Sequence, residues 1–148
     1  MKKQVLIFAA TICIAISGQS QDLAQNQVPS VILNTFNNSF PKASDIEWEM
    51  DGVLYNVDFE IGWNTDHEIW YNSQGVLVRH KEDITKDELP KVVMDRLKAN
   101  FKGYAIDDIE RMTDEDKISY KIELNTFTRQ DLDVIIDQHG NLISKMLD

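Results

Sequence analysis

The chain has 148 residues, enough for one domain of ordinary size, and a formal charge of −10 at pH 7. That acidity argues against nucleic acid and anionic membrane as partners, because both repel a polyanion. Cys13 is the single cysteine, which excludes an internal disulfide framework.

Residues 1–20 read as a secretory signal peptide. Lys2 and Lys3 form a basic start, and Val5–Ile16 is a run of twelve uncharged, mostly apolar residues. That run is too short to span a bilayer. The following "SGQSQ" supplies small residues for cleavage, expected after Ser20, with Gly18 as the alternative. Acylation of Cys13 is a further alternative, but a lipobox carries a small residue ahead of its cysteine and here stands Ile12. The expected location is periplasmic or secreted, with no membrane insertion after cleavage. The mature domain, residues 21–148, loses two lysines and no acid, so its formal charge is −12 and it has no cysteine. It must stand on its own apolar core.

Unit 1 covers about 28–84 and unit 2 about 85–148. In unit 1, Val28, Ile32, Phe36 and Phe40 recur every four residues, one apolar helical stripe widened by Val31. Pro29 stands at its start and Pro41 ends it; a helix of about a dozen residues is expected. The period then changes to two. Trp48 shares parity with Ile46 and Met50 and is expected to face the helices. "MDGV" is a tight turn, and Val53, Tyr55, Val57, Phe59 and Ile61 alternate with Leu54, Asn56, Asp58 and Glu60. Trp63 in "EIGWNTD" sits at a hairpin tip. In "HEIWYN", His67, Ile69 and Tyr71 form the core set and Trp70 points the other way with Glu68. "NSQG" closes the next hairpin, with Asn first and Gly fourth.

Unit 2 repeats the phrase. "TKDE" fits a capping box, while Pro90 suggests a later helix start, so both starts stay open. Leu89, Val93, Leu97 and Phe101 form the second stripe, and Gly103 ends it. "DEDK" is a turn, Ile118, Tyr120, Ile122 and Leu124 alternate, and "DQHG" is the final turn. Gly75 meets Gly140 at an offset of 65, as Tyr55 meets Tyr120. The two "DIE" triplets meet at 63, aligning Trp48 with Arg111, and the helices at 61. The expected fold is α+β: two tandem α-ββββ units forming an antiparallel sheet of up to eight strands with two helices packed on one face.

That pattern, carried by "VPSVILNTFNNSFP", "DIEWEMDGVLYNVDFE" and "EIWYNSQGVLV" and again from "LPKVVMDRLKANF" to "IIDQHGNLI", resembles the PepSY-like family of exported bacterial proteins. That family is similar in fold to the beta-lactamase inhibitor proteins. The resemblance covers nearly all of the mature chain and implies a non-enzymatic domain that binds something on its sheet. The inhibitors carry disulfides and this mature chain has none, so lactamase inhibition is not carried over.

An enzyme is not expected. The chain has no G-x-S-x-G, no H-E-x-x-H and no glycine-rich phosphate loop, and its histidines, His67, His80 and His139, are scattered. No cofactor is expected either, with calcium as an alternative. Asp114, Glu115 and Asp116 could supply hard oxygens at a turn, although EF-hand spacing is absent and a solvated acidic turn is the blander explanation. Transition metals are disfavoured because no His or Cys pair stands at ligand spacing. The leading expectation is a protein or peptide partner in the cell envelope, met by the uncovered face. Trp70 and Ile135 should stand exposed there, with Asn56, Asp58 and Lys121 around them and Trp63 at the edge. The competing explanation is that Trp70 packs flat on a neighbouring strand or under a loop.

Overall fold

The computed structural model describes residues 21–62 and 65–147. Residues 1–20, where a signal peptide is expected and which include Cys13, and Trp63 lie outside them. Nine strands form one antiparallel sheet in chain order: β1 (Gln21–Asp22), β2 (Ala43–Asp51), β3 (Leu54–Ile61), β4 (Asp66–Tyr71), β5 (Leu77–Asp83), β6 (Ala105–Asp114), β7 (Lys117–Asn125), β8 (Leu132–Asp137) and β9 (Leu142–Leu147). The eight expected strands are present, and the two-residue β1 adds an edge beside β2. Helix α1 (Ser30–Ser39) precedes β2, and α2 (Lys91–Asn100) connects β5 to β6.

Both helices lie on one face. A single cross-strand row runs His67, Glu82, Arg111, Tyr120, Ile136. Its side chains share a face, and its two ends lie against the two cores. Val28, Ile32 and Phe36 of the first helical segment pack on Trp48, Val57, Phe59, Ile69 and Tyr71. Leu89, Val93, Leu97 and Phe101 pack on Ile109, Tyr120, Ile122, Val134 and Ile136. The two clusters share no residue.

The two candidate starts of α2 are both real. Thr85 N–H donates to Glu88 Oε2 at 2.8 Å and closes a capping box around a 3₁₀ turn at Lys86–Glu88. Leu89 is then extended, as the residue before a proline must be, and α2 begins at Lys91. Each helix has ten residues rather than a dozen, because Phe40 and Phe101 leave helical geometry as C-caps.

The repeated phrase is a repeated turn. Asn72 Oδ1 accepts from Gln74 N–H and Val76 N–H, and Asp137 Oδ1 accepts from His139 N–H and Asn141 N–H. Gly75 and Gly140 close these turns at φ of +78° and +84°. Each sits against its own helix: a Cβ there would lie 3.1 Å from Val31 Cγ2 or 2.9 Å from Val92 Cγ2. β-bulges recur too, at Trp70/Tyr71 and Ile135/Ile136. One alignment changes. Trp48 pairs with Val57 and Ile109 with Ile122, so Trp48 corresponds to Ile109 and not to Arg111. The β6–β7 hairpin is longer at its tip, and the identical "DIE" triplets matched across that insertion. Trp48 faces the helices as expected.

Candidate functional site

Asn56, Asp58, Glu68, Trp70, Lys81, Lys121 and Ile135 share the sheet face opposite the helices. Two lysines tie its carboxylates together. Lys81 Nζ lies 2.6 Å from Glu68 and 3.7 Å from Glu110. Lys121 Nζ lies 3.1 Å from Glu123, 3.8 Å from Glu110 and 3.9 Å from Asp133. Burial alone would lower the Lys81 pKa, but its hydrogen bond to Glu68 and the charges of Glu68, Glu110 and Asp58 hold it above the ordinary value. The Glu123 hydrogen bond likewise raises Lys121 against some desolvation.

A depression of about 520 Å³ crosses β2 to β6, lined by nine carboxylates and one lysine, Lys81, with Phe59 and His67 also bordering it. Asp58 bears the strongest perturbation within it. Burial first, then the charge of Glu68 and more weakly of Glu49 and Glu47, push its pKa up to about 6 despite Lys81. The face therefore presents concentrated negative charge, one member of which takes up a proton close to neutral pH.

Trp70 corrects the expectation of an exposed anchor. It lies on the expected face, yet only 7% of it is exposed. The Arg79 guanidinium lies 5.1 Å from its ring centroid, and its Nε1–H donates to Asp51 Oδ2 at 2.9 Å. Neither cover was visible in its own strand, since one comes from β5 and the other from the end of β2. Asn56 is also buried and donates to Glu68 Oε1 at 3.1 Å. Ile135 is half-buried between Lys121 and Ser144 on the neighbouring strands. Asp114, Glu115 and Asp116 form the tip of the β6–β7 hairpin, where Asp114 pairs with Arg79 at 3.5 Å. The acid–lysine grid through Lys81 and Glu110 went unread because it depends on the β5–β6 pairing.

The opposite face holds a second polar group, in the gap between the two cores. His67 Nδ1 lies 3.1 Å from His80 Nε2 and 3.8 Å from Glu82 Oε2. Arg111 donates to Glu82 Oε1 through Nε at 2.9 Å and Nη2 at 2.8 Å. Phe59 stacks on His67 at 5.1 Å, and Phe40 meets the His80 ring edge-on at 6.0 Å. Burial lowers the pKa of both histidines, partly opposed by the Glu82 charge. Thirteen residues apart in sequence, His67 and His80 become neighbours only through the β4–β5 register. No histidine pair stands at ligand spacing along the sequence; the fold brings this one together.

A family model described as "Putative beta-lactamase-inhibitor-like, PepSY-like" matches residues 13–79 and again 54–144. No curated protein matches the chain. Among solved structures, one described as a putative periplasmic protein from Bacteroides eggerthii aligns with a TM-score of 0.67 at 18% identity, covering 81% of this chain and 88% of that one. A DUF2874 family protein from Bacteroides uniformis aligns at 0.66 and 20% identity, covering 80% and 88%. A BLIP-like protein from Bacteroides fragilis aligns at 0.62 and 17% identity, covering 80% and 85%. At these identities the likeness is one of fold.

Proposed function

This chain belongs to the PepSY-like, beta-lactamase-inhibitor-like family, and on that premise we propose that it is an exported, non-catalytic binding module taking a basic protein or peptide segment on the uncovered face of its sheet. The observation that carries the reading is the depression with nine carboxylates and one lysine, on the side both helices leave open. Export is supported by the leader-like residues 1–20 and by a structural relative described as periplasmic. The face has no exposed aromatic anchor among the described residues, since Trp70 is covered. Recognition by charge fits it better. Charge complementarity governs encounter rate and selectivity, and it weakens with salt.

The test uses a short Lys/Arg-rich peptide and its Asp/Glu-rich counterpart, with amide shifts of this chain followed by NMR at low and high salt. The basic peptide should shift amides of β2 to β6, weaken with salt, and lose binding to a Glu47→Lys/Asp108→Lys variant of unchanged melting temperature. Both residues are exposed in the depression, so the variant should fold. Shifts confined to the helices, or equal binding of both peptides, would sink the reading. A second arm with calcium asks whether a cation at Asp114–Asp116 is needed; unchanged binding would separate the two.

A further inference from the structure

We propose that His67, His80 and Glu82 form a binding site for one divalent transition-metal ion, zinc in the first instance. The three side chains share the helix-bearing side of the sheet; His67 also borders the acidic depression, while His80 and Glu82 do not line it.

Donor geometry is the first argument. A four-coordinate ion with ligands at about 2.0–2.1 Å holds neighbouring donor atoms about 3.4 Å apart. His67 Nδ1 stands 3.1 Å from His80 Nε2 and 3.8 Å from Glu82 Oε2, which bracket that spacing, and all three donors lie within 4.8 Å of one another. The ion would sit between His67 Nδ1 and His80 Nε2, each ring then carrying its proton on its other nitrogen, with water completing the shell from the partly open side of His80 and Glu82.

The repeat supplies an internal control. By strand pairing, the positions of His67, His80 and Glu82 in unit 1 are those of Leu132, Lys145 and Leu147 in unit 2. The fold builds the same sheet there without a single metal ligand. Three ligands converging in one copy alone are therefore not demanded by the architecture.

The surroundings suit a bound cation. His67 is only 8% exposed and is held by the Phe59 stack, so its ring is pre-oriented. Arg111 occupies Glu82 Oε1 with two N–H groups and leaves Oε2 toward His67, an outer-shell contact that fixes the carboxylate. Its positive charge opposes the ion; Glu82 and Asp66 oppose it in turn, and both act on His67.

The purified protein, stripped with a chelator, is titrated with zinc chloride by calorimetry and with cobalt(II) chloride by visible absorption. One zinc per chain and tetrahedral-type cobalt bands are expected. His67→Leu installs the residue unit 2 uses and should fold, while His80→Gln changes a partly exposed ring; circular dichroism checks both. Each should weaken zinc by at least about tenfold, the scale seen even for outer-shell losses. His139→Gln should leave binding unchanged. The absence of saturable 1:1 binding in the stripped wild type would overturn the proposal. So would binding that survives His67→Leu and His80→Gln but disappears with His139→Gln.

Discussion

Replacing Gly140 by alanine tests whether the repeated turn is a docking device. Two costs add there. A non-glycine residue at φ +84° occupies the left-handed region, at about 1–2 kcal/mol. The new Cβ would also lie 2.9 Å from Val92 Cγ2 and 3.2 Å from the Val92 carbonyl oxygen. That oxygen belongs to the first turn of α2 and cannot yield without the helix, so overpacking adds about 1–3 kcal/mol. Lower chain entropy in the unfolded state returns about 0.4–1 kcal/mol. The net loss should be about 2–4 kcal/mol. Gly52 is the control. It has φ +62° in the β2–β3 turn and nothing within 4 Å of an added methyl, so Gly52→Ala should cost about 1 kcal/mol or less. Urea unfolding midpoints, read with m-values, separate the two. Adding Val92→Ala to Gly140→Ala removes the Cγ2 contact but not the carbonyl contact, so it should restore part of the loss. Equal midpoints for Gly52→Ala and Gly140→Ala would refute the idea that the hairpin is seated on the helix.

Other substitutions reach the two polar groups. Trp70→Phe removes the hydrogen bond to Asp51 and shrinks the surface under Arg79; it should cost about 1–2 kcal/mol, and an unchanged melting temperature would mean Trp70 stands free. Asp58 has a folded pKa of about 6 against an ordinary 3.8, so between those values the folded state holds a proton that the unfolded state lacks. Stability should therefore rise through this residue as pH falls from about 7.5 to about 4. Asp58→Asn should exceed wild type by about 1 kcal/mol at the upper pH, a figure discounted for solvent screening, and match it at the lower. His67 works in the other direction: with its pKa held below 6.5, its stability is complete above that value and lost as pH falls below it. His67→Leu should flatten that acid limb of the melting curve, and an unaltered limb would place the effect elsewhere.

The architecture was legible because each unit changes period once, from four to two, and marks its hairpins with Asn or Asp and a glycine. What misled was identity without geometry: "DIE" matched "DIE" although the extra residues lie at the hairpin tip, so Arg111 was set against Trp48. Strand parity placed Trp70, Ile135, Asp58 and Lys121 on one face correctly. It could not show that Arg79 and Asp51 close over Trp70, because those residues arrive from β5 and from the end of β2. The His67–His80 contact was hidden for a related reason. It depends on the β4–β5 pairing across a bulge at Trp70/Tyr71, and a bulge leaves no dependable mark in a sequence.

The two apolar clusters share no residue, and the halves meet through five β5–β6 residue pairs, the ion pairs Glu82–Arg111, Lys81–Glu110 and Arg79–Asp114, and Ile84, which packs into the second cluster. Such a join couples the halves weakly, as neighbouring repeats are coupled in an array. Melting should then depart from two-state behaviour, with a calorimetric enthalpy larger than the van't Hoff value. When one half opens first, the survivor bares β5 or β6, a central strand with unpaired N–H and C=O groups. That species, rather than the fully unfolded chain, is the one poised to pair with another copy.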